Sequence, residues 1–375
     1  MLTLAIIAAA LLFLTWVGYP LAIHLLARLV PRPDSPVPGT WPAVTVIVAT
    51  REDPNAATDR VDDILAGNYP RDRLAVVVAL DASCGRPAEA YGCGDPRVRV
   101  VAGDVPGGKA AALNAGVRAA AGEVLVFTDT HQRFAPDAIR VLAQEVTGGP
   151  FGIVSGQLEL PEGKQRSLLD WYWRLERRLR RDEARIFSAV GVSGSIYAMR
   201  RGLWEPLPAG LILDDLYVPM RAILAGHRVG FTAAAKAHDA RRTEPGQEFR
   251  RKVRTLTGNF QLCAWLPPVL VPWRNRAWAP FVLHKIARLL TPWLGVAFAG
   301  SITWMLLRWS SWREIAAAIV AIVLGLALVW AMGLGRRLAA YAWWLIVMQA
   351  AIVVATYYGL IGNWHVWGAL ESADG

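Results

Sequence analysis

The sequence predicts an α/β domain with a mostly parallel sheet, together with α-helical segments that span a membrane. Two observations predict this combination. Between residues 43 and 130, apolar runs rich in β-branched residues alternate with helix-like segments, as in a parallel sheet covered on both faces. The chain of 375 residues is 54% hydrophobic and only 19% charged, which is too apolar for an ordinary soluble domain.

The amino-terminal segment is predicted to be the first membrane crossing. Residues 1–27 contain no acidic residue, lysine or arginine, and they exceed the ~20 residues that a helix needs to cross the hydrocarbon core. Arg28 and Arg32 follow this segment and no basic segment precedes it, which is the reverse of a cleavable signal peptide. Basic residues favour the cytoplasmic side, so the following domain is expected in the cytoplasm. Residues 28–42 are rich in proline and predict a stiff linker.

The α/β domain is expected to begin near residue 43 and to extend to residue 247. Four apolar runs predict strands that are buried on both faces, and they are VTVIVAT (44–50), LAVVVAL (74–80), VRVVAG (98–103) and EVLVFTDT (123–130). The segments NAATDRVDDILAGN and GGKAAALNAGVRAAAG lie between these runs and predict helices. Such an alternation places the carboxyl ends of the parallel strands at one edge of the sheet.

The carboxyl-terminal part is predicted to return to the membrane. Uncharged runs at 289–307, 315–335 and 338–370 are each long enough for one crossing, and tryptophans flank them, as is typical at headgroup level. Residues 248–288 combine basic and aromatic side chains and predict interfacial helices. The sequence thus predicts four crossings and a multi-pass protein of the cell membrane.

Charge and cysteine content exclude some classes of protein and leave others open. The chain has 40 Lys and Arg against 30 Asp and Glu, a net charge of +10, and 17 Trp. A basic balance is compatible with anionic lipid or with nucleic acid, but the basic residues cluster beside apolar segments and no nucleic-acid motif is present, so no nucleic-acid partner is expected. Cys84, Cys93 and Cys263 are too few for a disulfide framework and form no CxxC pair.

Acidic side chains follow the predicted strands. Glu52 follows the first strand, Asp81 follows the second and Asp129 lies at the end of the fourth. A lone aspartate after a strand is usually a cap or turn residue. Several acids at one edge beside arginines instead describe a site for a divalent cation and a polyphosphate. A P-loop is excluded because Lys109 in PGGKAAALN is not followed by Ser or Thr.

Two further segments are unusual. Asp214 and Asp215 precede the helix-like run LYVPMRAILAG, where acids either stabilise the helix amino terminus or carry chemistry, and the two roles are compatible. Residues 167–187 interleave arginines with Trp and Leu and predict a basic amphipathic helix. Such a helix lies near anionic lipid, binds a phosphate-rich partner or presents a solvated face.

The order of these motifs resembles the membrane-embedded, inverting family 2 glycosyltransferases, whose catalytic domain has the GT-A fold. This group includes hyaluronan, chitin and cellulose synthases and the smaller polyprenyl-phosphate sugar transferases. VTVIVATRED is similar to the family's opening strand and retains Glu52, although Arg51 stands where asparagine is usual. VALDAS resembles the strand that ends in the nucleotide-contacting aspartate, here Asp81. GGKAAALNAGV is similar to the segment that places Lys109 and Asn114 near the donor.

The resemblance also implies a metal and a base. VFTDTHQRFAPDAI resembles the metal-binding DxD segment, with Asp129 at its first acid and His131 at its third position. It implies Mg²⁺ or Mn²⁺ as the cofactor, and imidazole suits Mn²⁺ better than Mg²⁺. LDDLYVPMRAILAGHRVGF resembles the motif whose second acid is the catalytic base, so that Asp215 would deprotonate the acceptor while Asp214 positions it or nearby basic groups.

The family's QxxRW motif, which precedes the membrane helices of the synthases, is half present. Arg254 matches the arginine that contacts the donor phosphates, and Arg251 stands in place of the glutamine. Thr255 replaces the tryptophan that lines the acceptor end in processive enzymes. This replacement weakens the expectation of a long polymeric product.

The resemblance therefore implies an inverting hexosyltransferase that takes a sugar from a nucleotide-diphosphate donor, expected to be UDP-linked. Its acceptor would be a polysaccharide or a lipid-linked saccharide at the cytoplasmic membrane face, with membrane lipids as further partners. Transfer of one sugar to a polyprenyl phosphate or another lipid carrier is the alternative within enzymes. A transporter or membrane scaffold that only binds nucleotide is the alternative outside them.

Overall fold

The computed structural model describes residues 1–92, 94–159, 168–239, 245–309, 311–314 and 335–365, with a few positions between 315 and 334. The chain divides into two compact units. One comprises Met1–Ala22, Glu244–Phe260 and Val282–Gly375, and the other comprises Ile23–Thr243 and Gln261–Phe281. The second unit contains the sheet. The first helix, α1, runs over Leu2–Leu29, and its mean hydropathy of 2.1 makes it long and apolar enough to span a membrane.

The first half of the sheet consists of four parallel strands in the order β3-β2-β1-β4. These strands are β1 (Val44–Thr50), β2 (Leu74–Leu80), β3 (Val98–Ala102) and β4 (Val124–Thr128). Helix α2 (Pro54–Leu65) follows β1, and α3 (Lys109–Ala119) follows β3. The predicted strands and helices of this half are present, but the expectation that all four strands are buried on both faces was wrong for β3, which lies at the edge of the sheet and has partly exposed residues. Their continuous apolar runs arise because β1, β2 and β4 are buried on both faces.

The second half of the sheet has the order β7-β6-β8-β5 and joins the first half through β4 and β7. Its elements are β5 (Arg133–Phe134), α4 (Ala138–Gly148), β6 (Ile153–Glu159), α5 (Leu168–Ile186), β7 (Tyr197–Arg200), α6 (Asp214–Leu224) and β8 (Val229–His238). Strand β7 is antiparallel to both β4 and β6, and β5 is antiparallel to β8. The prediction of a mostly parallel sheet was therefore wrong, because the chain inserts the short β7 from the opposite direction and the sheet is mixed.

Helix packing brings polar residues to the edge of the sheet that is formed by the carboxyl ends of β1, β2, β3 and β4, called the carboxyl edge below. Helices α2 and α4 pack on one face through residues such as Val61 and Leu142. Helix α3 covers the other face so closely that a Cβ at Gly116 would lie 2.8 Å from Ile47 Cγ2 and 3.1 Å from Ala79 Cβ. Glycine is therefore required at this approach. Because α3 begins at the carboxyl edge, its first residue, Lys109, lies at the ends of the strands.

The carboxyl-terminal part of the chain is helical where it is described. Its helices are α7 (Pro245–Trp265), α8 (Trp278–Leu289), α9 (Thr291–Trp309) and α10 (Gly335–Leu360). The segment Leu338–Leu360 is again long and apolar enough to span a membrane. Helices α8 and α9 are bent by 60° relative to each other, and together they would form a third span if they are counted as one. The crossing predicted at 315–335 lies largely outside the described residues, as does the end of the last run at 366–370. Four crossings and the predicted domain limits stay predictions.

Candidate active site

Asp81 lies directly after β2, and a glycine turn closes over its carboxylate. Its Oδ1 accepts hydrogen bonds from the backbone N–H of Ser83 at 3.0 Å and of Gly108 at 2.7 Å. Gly107 and Gly108 have φ of 101° and 94°, which favour glycine, and a Cβ at Gly107 would lie 2.6 Å from Asp81 Oδ1. Burial by itself would raise the pKa of Asp81, but the two N–H donors, together with the Ser83 side chain and the charge of Arg51, lower this pKa. The carboxylate is therefore ionised and held in one orientation.

Lys109 joins carboxylates from the two halves of the sheet. Its Nζ lies 3.1 Å from Oδ1 of Asp129, which follows β4, and 3.5 Å from Oδ2 of Asp214 on α6. Burial by itself would lower the pKa of Lys109, but Asp129, Asp214 and Asp215 raise it above its ordinary value. The lysine thus stays charged and compensates the acids, which would otherwise repel one another.

Asp215 reaches the same place from the first turn of α6. Its backbone carbonyl accepts a hydrogen bond from Val192 N–H at 2.9 Å, which ties α6 to the turn before β7. A Cβ added at Gly194 in this turn would lie 3.6 Å from Lys109 Nζ and 3.7 Å from Asp215 Oδ2. The side chain of Asp214 is only 9% exposed, whereas Asp215 is half-buried. Of the two acids, Asp215 is the better placed to meet a bound molecule.

Glu52 and His131 form a second pair at this edge of the sheet. His131 Nε2 lies 3.3 Å from Glu52 Oε1. Among the described residues, no group of three or more His, Cys, Asp or Glu side chains is arranged to hold a metal by itself. Asp129 and His131 nevertheless offer one carboxylate and one imidazole, both partly exposed. Such a donor set fits a divalent cation whose remaining ligands are diphosphate oxygens and water.

Two buried side chains at the site were missed by the sequence analysis. Tyr197 on β7 is fully buried and stacks on Phe127 at a centroid distance of 4.6 Å. Burial raises the pKa of Tyr197, and the negative charges of Asp214, Asp215 and Asp129 raise it further. The phenol is therefore neutral. Its hydroxyl has no hydrogen-bond partner among the described residues. The segment VSGSIYAMRR (192–201) resembles an acceptor-side segment of the family, but the resemblance does not single out Tyr197, whose surroundings depend on acids from other elements.

Arg60 is the second missed residue and lies under the site. It is fully buried on α2, pairs with Asp63, and donates from Nη2 to Thr128 Oγ1 at 2.9 Å. Thr128 in turn donates to the carbonyl of Ser195 at 2.9 Å. Burial lowers the pKa of Arg60 to about 10, although Asp63 opposes this effect. Arg60 thereby connects the end of β4 with the turn that faces Asp215.

Three other residues were predicted to contact the donor, and they are Asn114, Arg251 and Arg254. The Asn114 side chain donates to the Leu207 carbonyl at 2.9 Å and accepts from the Leu207 N–H at 2.8 Å, so its amide holds a loop. Arg251 and Arg254 lie on α7, in the unit that does not contain the sheet. Donor contacts by these three residues stay predictions. Gln261 was missed, and it holds the loop before α6 through Ile212 N–H and the Gly210 carbonyl.

Comparison with known proteins adds relatives of one enzyme class. An N-acetylglucosaminyltransferase of Mesorhizobium japonicum is 26% identical over 284 residues, which are 69% of this chain and 66% of that protein. An N-acetylglucosaminyltransferase of Neorhizobium galegae is 24% identical over 298 residues, covering 74% of this chain and 68% of the relative. The chain thus spans about two thirds of the length of these curated relatives.

A solved structure and a family model agree with these relatives. The mannosyltransferase PcManGT of Pyrobaculum calidifontis, solved with GDP-Man and Mn²⁺, superposes with a TM-score of 0.70 at 25% identity. The match covers 96% of this chain and 99% of that one. The fold is accordingly GT-A-like, with a mixed sheet. The model of the glycosyltransferase-like family 2 matches residues 42–258, and the chain therefore belongs to this family.

Proposed function

We propose that this protein transfers a sugar, with inversion, from a nucleotide-diphosphate sugar to an acceptor hydroxyl, and that Asp215 is the base. The observation that carries the proposal is the arrangement around Lys109. Its ammonium group lies 3.1 Å from Asp129 and 3.5 Å from Asp214, with Asp215 beside it. Lys109 and Asp129, which are suited to binding a diphosphate and its metal, thus lie in one cluster with Asp215, which is suited to taking the proton of the acceptor hydroxyl.

The surroundings of Asp215 support its proposed role as the general base. It is half-buried, it lies beside the backbone of Gly194, and no side chain at position 194 stands between it and Lys109. An inverting transfer needs one carboxylate that takes the acceptor proton as the new glycosidic bond forms at the sugar's anomeric carbon. The bond from that carbon to the diphosphate breaks in the same displacement, and the nucleoside diphosphate leaves with its electron pair.

The donor is assigned to the edge of β1, β2 and β4. The ionised Asp81 is expected to accept hydrogen bonds from the base or ribose, and Glu52 and Lys109 lie at the same edge. Asp129 and His131 would hold Mn²⁺ or Mg²⁺, which neutralises the charge of the departing diphosphate when it is bound. The mannosyltransferase PcManGT was solved with Mn²⁺, which supports a divalent metal here. Arg251 and Arg254 are proposed as further donor-phosphate contacts.

The proposed setting is the cytoplasmic face of the cell membrane. Arg28 lies in the last turn of the apolar helix α1 and Arg32 follows it, and this charge distribution favours a cytoplasmic sheet domain. The acceptor is proposed to be a polysaccharide or a lipid-linked saccharide, with a single transfer to a lipid carrier as the alternative. The curated relatives are N-acetylglucosaminyltransferases, which favours UDP-GlcNAc as the first donor to test, and GDP-mannose is the second.

Donor turnover by the full-length protein tests the proposal. The protein in neutral detergent, supplemented with a lipid extract and Mn²⁺, would be offered a panel of UDP- and GDP-sugars while nucleoside diphosphate release is measured. We expect release from one donor, and loss of that release when the metal is chelated. Radiolabelled product in organic solvent identifies a lipid acceptor, and size-heterogeneous aqueous product identifies a polysaccharide. Binding of the nucleotide without release from any donor would favour the scaffold alternative.

A further inference from the structure

Helix α5 has a positively charged outer face because its described acids are turned inward. Glu176, Asp182 and Glu183 are only 4%, 6% and 1% exposed. Arg174, Arg178 and Arg181 on the same helix are exposed. A soluble surface is best served by charges of both signs, interspersed, whereas every exposed charged side chain described on α5 is an arginine. The outer face of α5 is therefore a concentrated source of positive charge.

Part of this face lines a cavity of about 260 Å³. Its lining residues are Arg174, Arg177, Arg178 and Arg181 of α5, Gln157 of β6 and Phe231 of β8. Typical sites for drug-sized ligands measure ~300–1,000 Å³, so this cavity suits a compact group and not a complete nucleotide sugar. Guanidinium groups match phosphate oxygens through paired N–H donors, and phosphate is therefore the chemistry that this lining fits.

The charge of the cavity is only partly compensated within the protein. Asp182 lies 3.9 Å from Arg178 and 3.6 Å from Arg181, and it also lies 2.8 Å from the Nδ1 of His24. Arg177 donates to the Leu158 carbonyl at 3.4 Å. Arg174 has no carboxylate partner in the part of the chain that the structure describes. Among the described residues, Asp182 is the carboxylate seen to pair with the lining arginines. These arginines outnumber it, and a bound anion would lower the electrostatic energy of the cavity.

The cavity lies beside the end of the first apolar helix. Within the sheet-bearing unit, Arg178 Nη2 lies 2.6 Å from His24 Nε2 near the end of α1, and Arg185 Nε donates to the Val30 carbonyl at 2.6 Å. Lipid phosphates lie where a membrane-spanning helix leaves the hydrocarbon core. Trp171, one turn before Arg174 on α5, is exposed, as is typical of side chains at headgroup level.

We propose that this arginine cavity binds the phosphate group of a lipid, separately from the donor site around Lys109. The proposal goes beyond sugar transfer and is tested with no nucleotide sugar present, so that its failure and the failure of the transferase proposal are distinguishable. The same chemistry could recognise free phosphate. The probes must therefore separate a lipid phosphate from inorganic phosphate.

Binding to the full-length protein in neutral detergent tests the proposal by titration calorimetry. The probes are dihexanoylphosphatidic acid, dihexanoylglycerol, which lacks the phosphate, and inorganic phosphate. We expect phosphatidic acid to bind, and the Arg174→Gln/Arg181→Gln variant to bind it at least about tenfold more weakly, as expected for loss of charge-assisted hydrogen bonds. Dihexanoylglycerol should bind weakly and equally to both proteins.

A matched control variant and a single-substitution variant complete the test. Arg71→Gln/Arg73→Gln removes the same charge from exposed arginines before β2 and should leave the affinity unchanged. Arg174→Gln alone changes an exposed side chain for which no carboxylate partner is seen among the described residues, so it should fold and still weaken binding. Equal affinity of the wild type and the Arg174→Gln/Arg181→Gln variant for phosphatidic acid would overturn the site. Equally tight, competing binding of inorganic phosphate would overturn the assignment to lipid.

Discussion

The two halves of the sheet contribute to one site in different ways. Strands β3, β2, β1 and β4 are parallel, and each polar group they present follows a strand or begins a helix at the same edge. Strands β7, β6, β8 and β5 include antiparallel pairs, and in this half the acids at the site, Asp214 and Asp215, belong to the first turn of α6 beside the turn at Gly194. Lys109 links the halves through Asp129 and Asp214.

This difference indicates a division of tasks within the site. A row of strand ends and a glycine turn suits a large ligand that lies along the edge, and nucleotides bind in this way in α/β proteins. A helix amino terminus that projects one half-buried acid suits a single proton transfer. We therefore expect changes in the parallel half to act on donor binding, and changes in the mixed half to act on turnover.

The largest expected effect is that of Asp215→Asn. Removing a general base typically slows turnover by ~10²–10⁴-fold, whereas donor affinity should change less than about twofold because Asp215 belongs to the mixed half. Rates of nucleoside diphosphate release and calorimetric donor affinity would be measured on the same preparation. Near-normal turnover would show that another group is the base, and a large loss of affinity would break the division between the halves.

Asp81→Asn should have the opposite profile. The amide keeps the shape of the side chain but weakens the charge-assisted bonds to Ser83, Gly108 and the donor, so the donor Kd should rise about tenfold. Turnover at saturating donor should stay within about twofold of the wild type. Asp95→Asn is the matched control, because Asp95 is a carboxylate paired with Arg97 before β3, away from the carboxyl edge. A fall in saturated turnover without a change in Kd would contradict the division.

Lys109→Met tests the link between the two halves of the sheet. It should have the smallest expected effect of the three variants, and that effect is on the free energy of unfolding. Loss of the ammonium leaves Asp129 and Asp214 uncompensated, which should cost about 1 kcal/mol because the pair is partly exposed, or ~2–4 °C in Tm. The raised pKa of Lys109 means that its stabilisation is complete below its ordinary pKa of 10.5 and is lost as pH rises through the folded value.

Thermal unfolding of both proteins between pH 7 and 11 measures this contribution. The Tm difference between wild type and Lys109→Met should be full at pH 7 and should shrink above pH 10.5. Arg118→Met is the control on the same helix, since its pair with Asp104 is more than half exposed and should contribute little. An unchanged Tm in Lys109→Met would mean that the lysine does not stabilise the contact between the halves.

Much of the parallel half could be predicted from the sequence, and the mixed half could not. Buried parallel strands leave continuous apolar runs, and β1 and β2 were placed to the residue. Strand β7 has only four residues, YAMR, and an antiparallel strand of this length has no pattern of its own. The positions of Asp81, Asp129 and Lys109 at one edge follow from the predicted strands, whereas the proximity of Asp214 does not.

Side chains whose neighbours are distant in sequence also escaped prediction. Arg60 and Thr128 are 68 residues apart, and their contact is decided by how α2 packs beside β4. Tyr197 and Gln261 likewise depend on elements that meet only in the folded chain. An arginine in a helical pattern predicts an exposed face, and only the packing shows that Arg60 is buried while Arg174 is not.

The sequence by itself determined the apolar helices, the parallel strands and the identity of the acids that follow them, because hydrophobic periodicity and strand ends are local properties. The tertiary structure decided the mixed sheet, the meeting of Asp129 and Asp214 at Lys109, and the gathering of arginines around one cavity. These features depend on long-range pairing and on which face of each helix is buried. The packing of the whole chain decides the strand pairing and the buried face of each helix, and a local sequence pattern specifies neither of these.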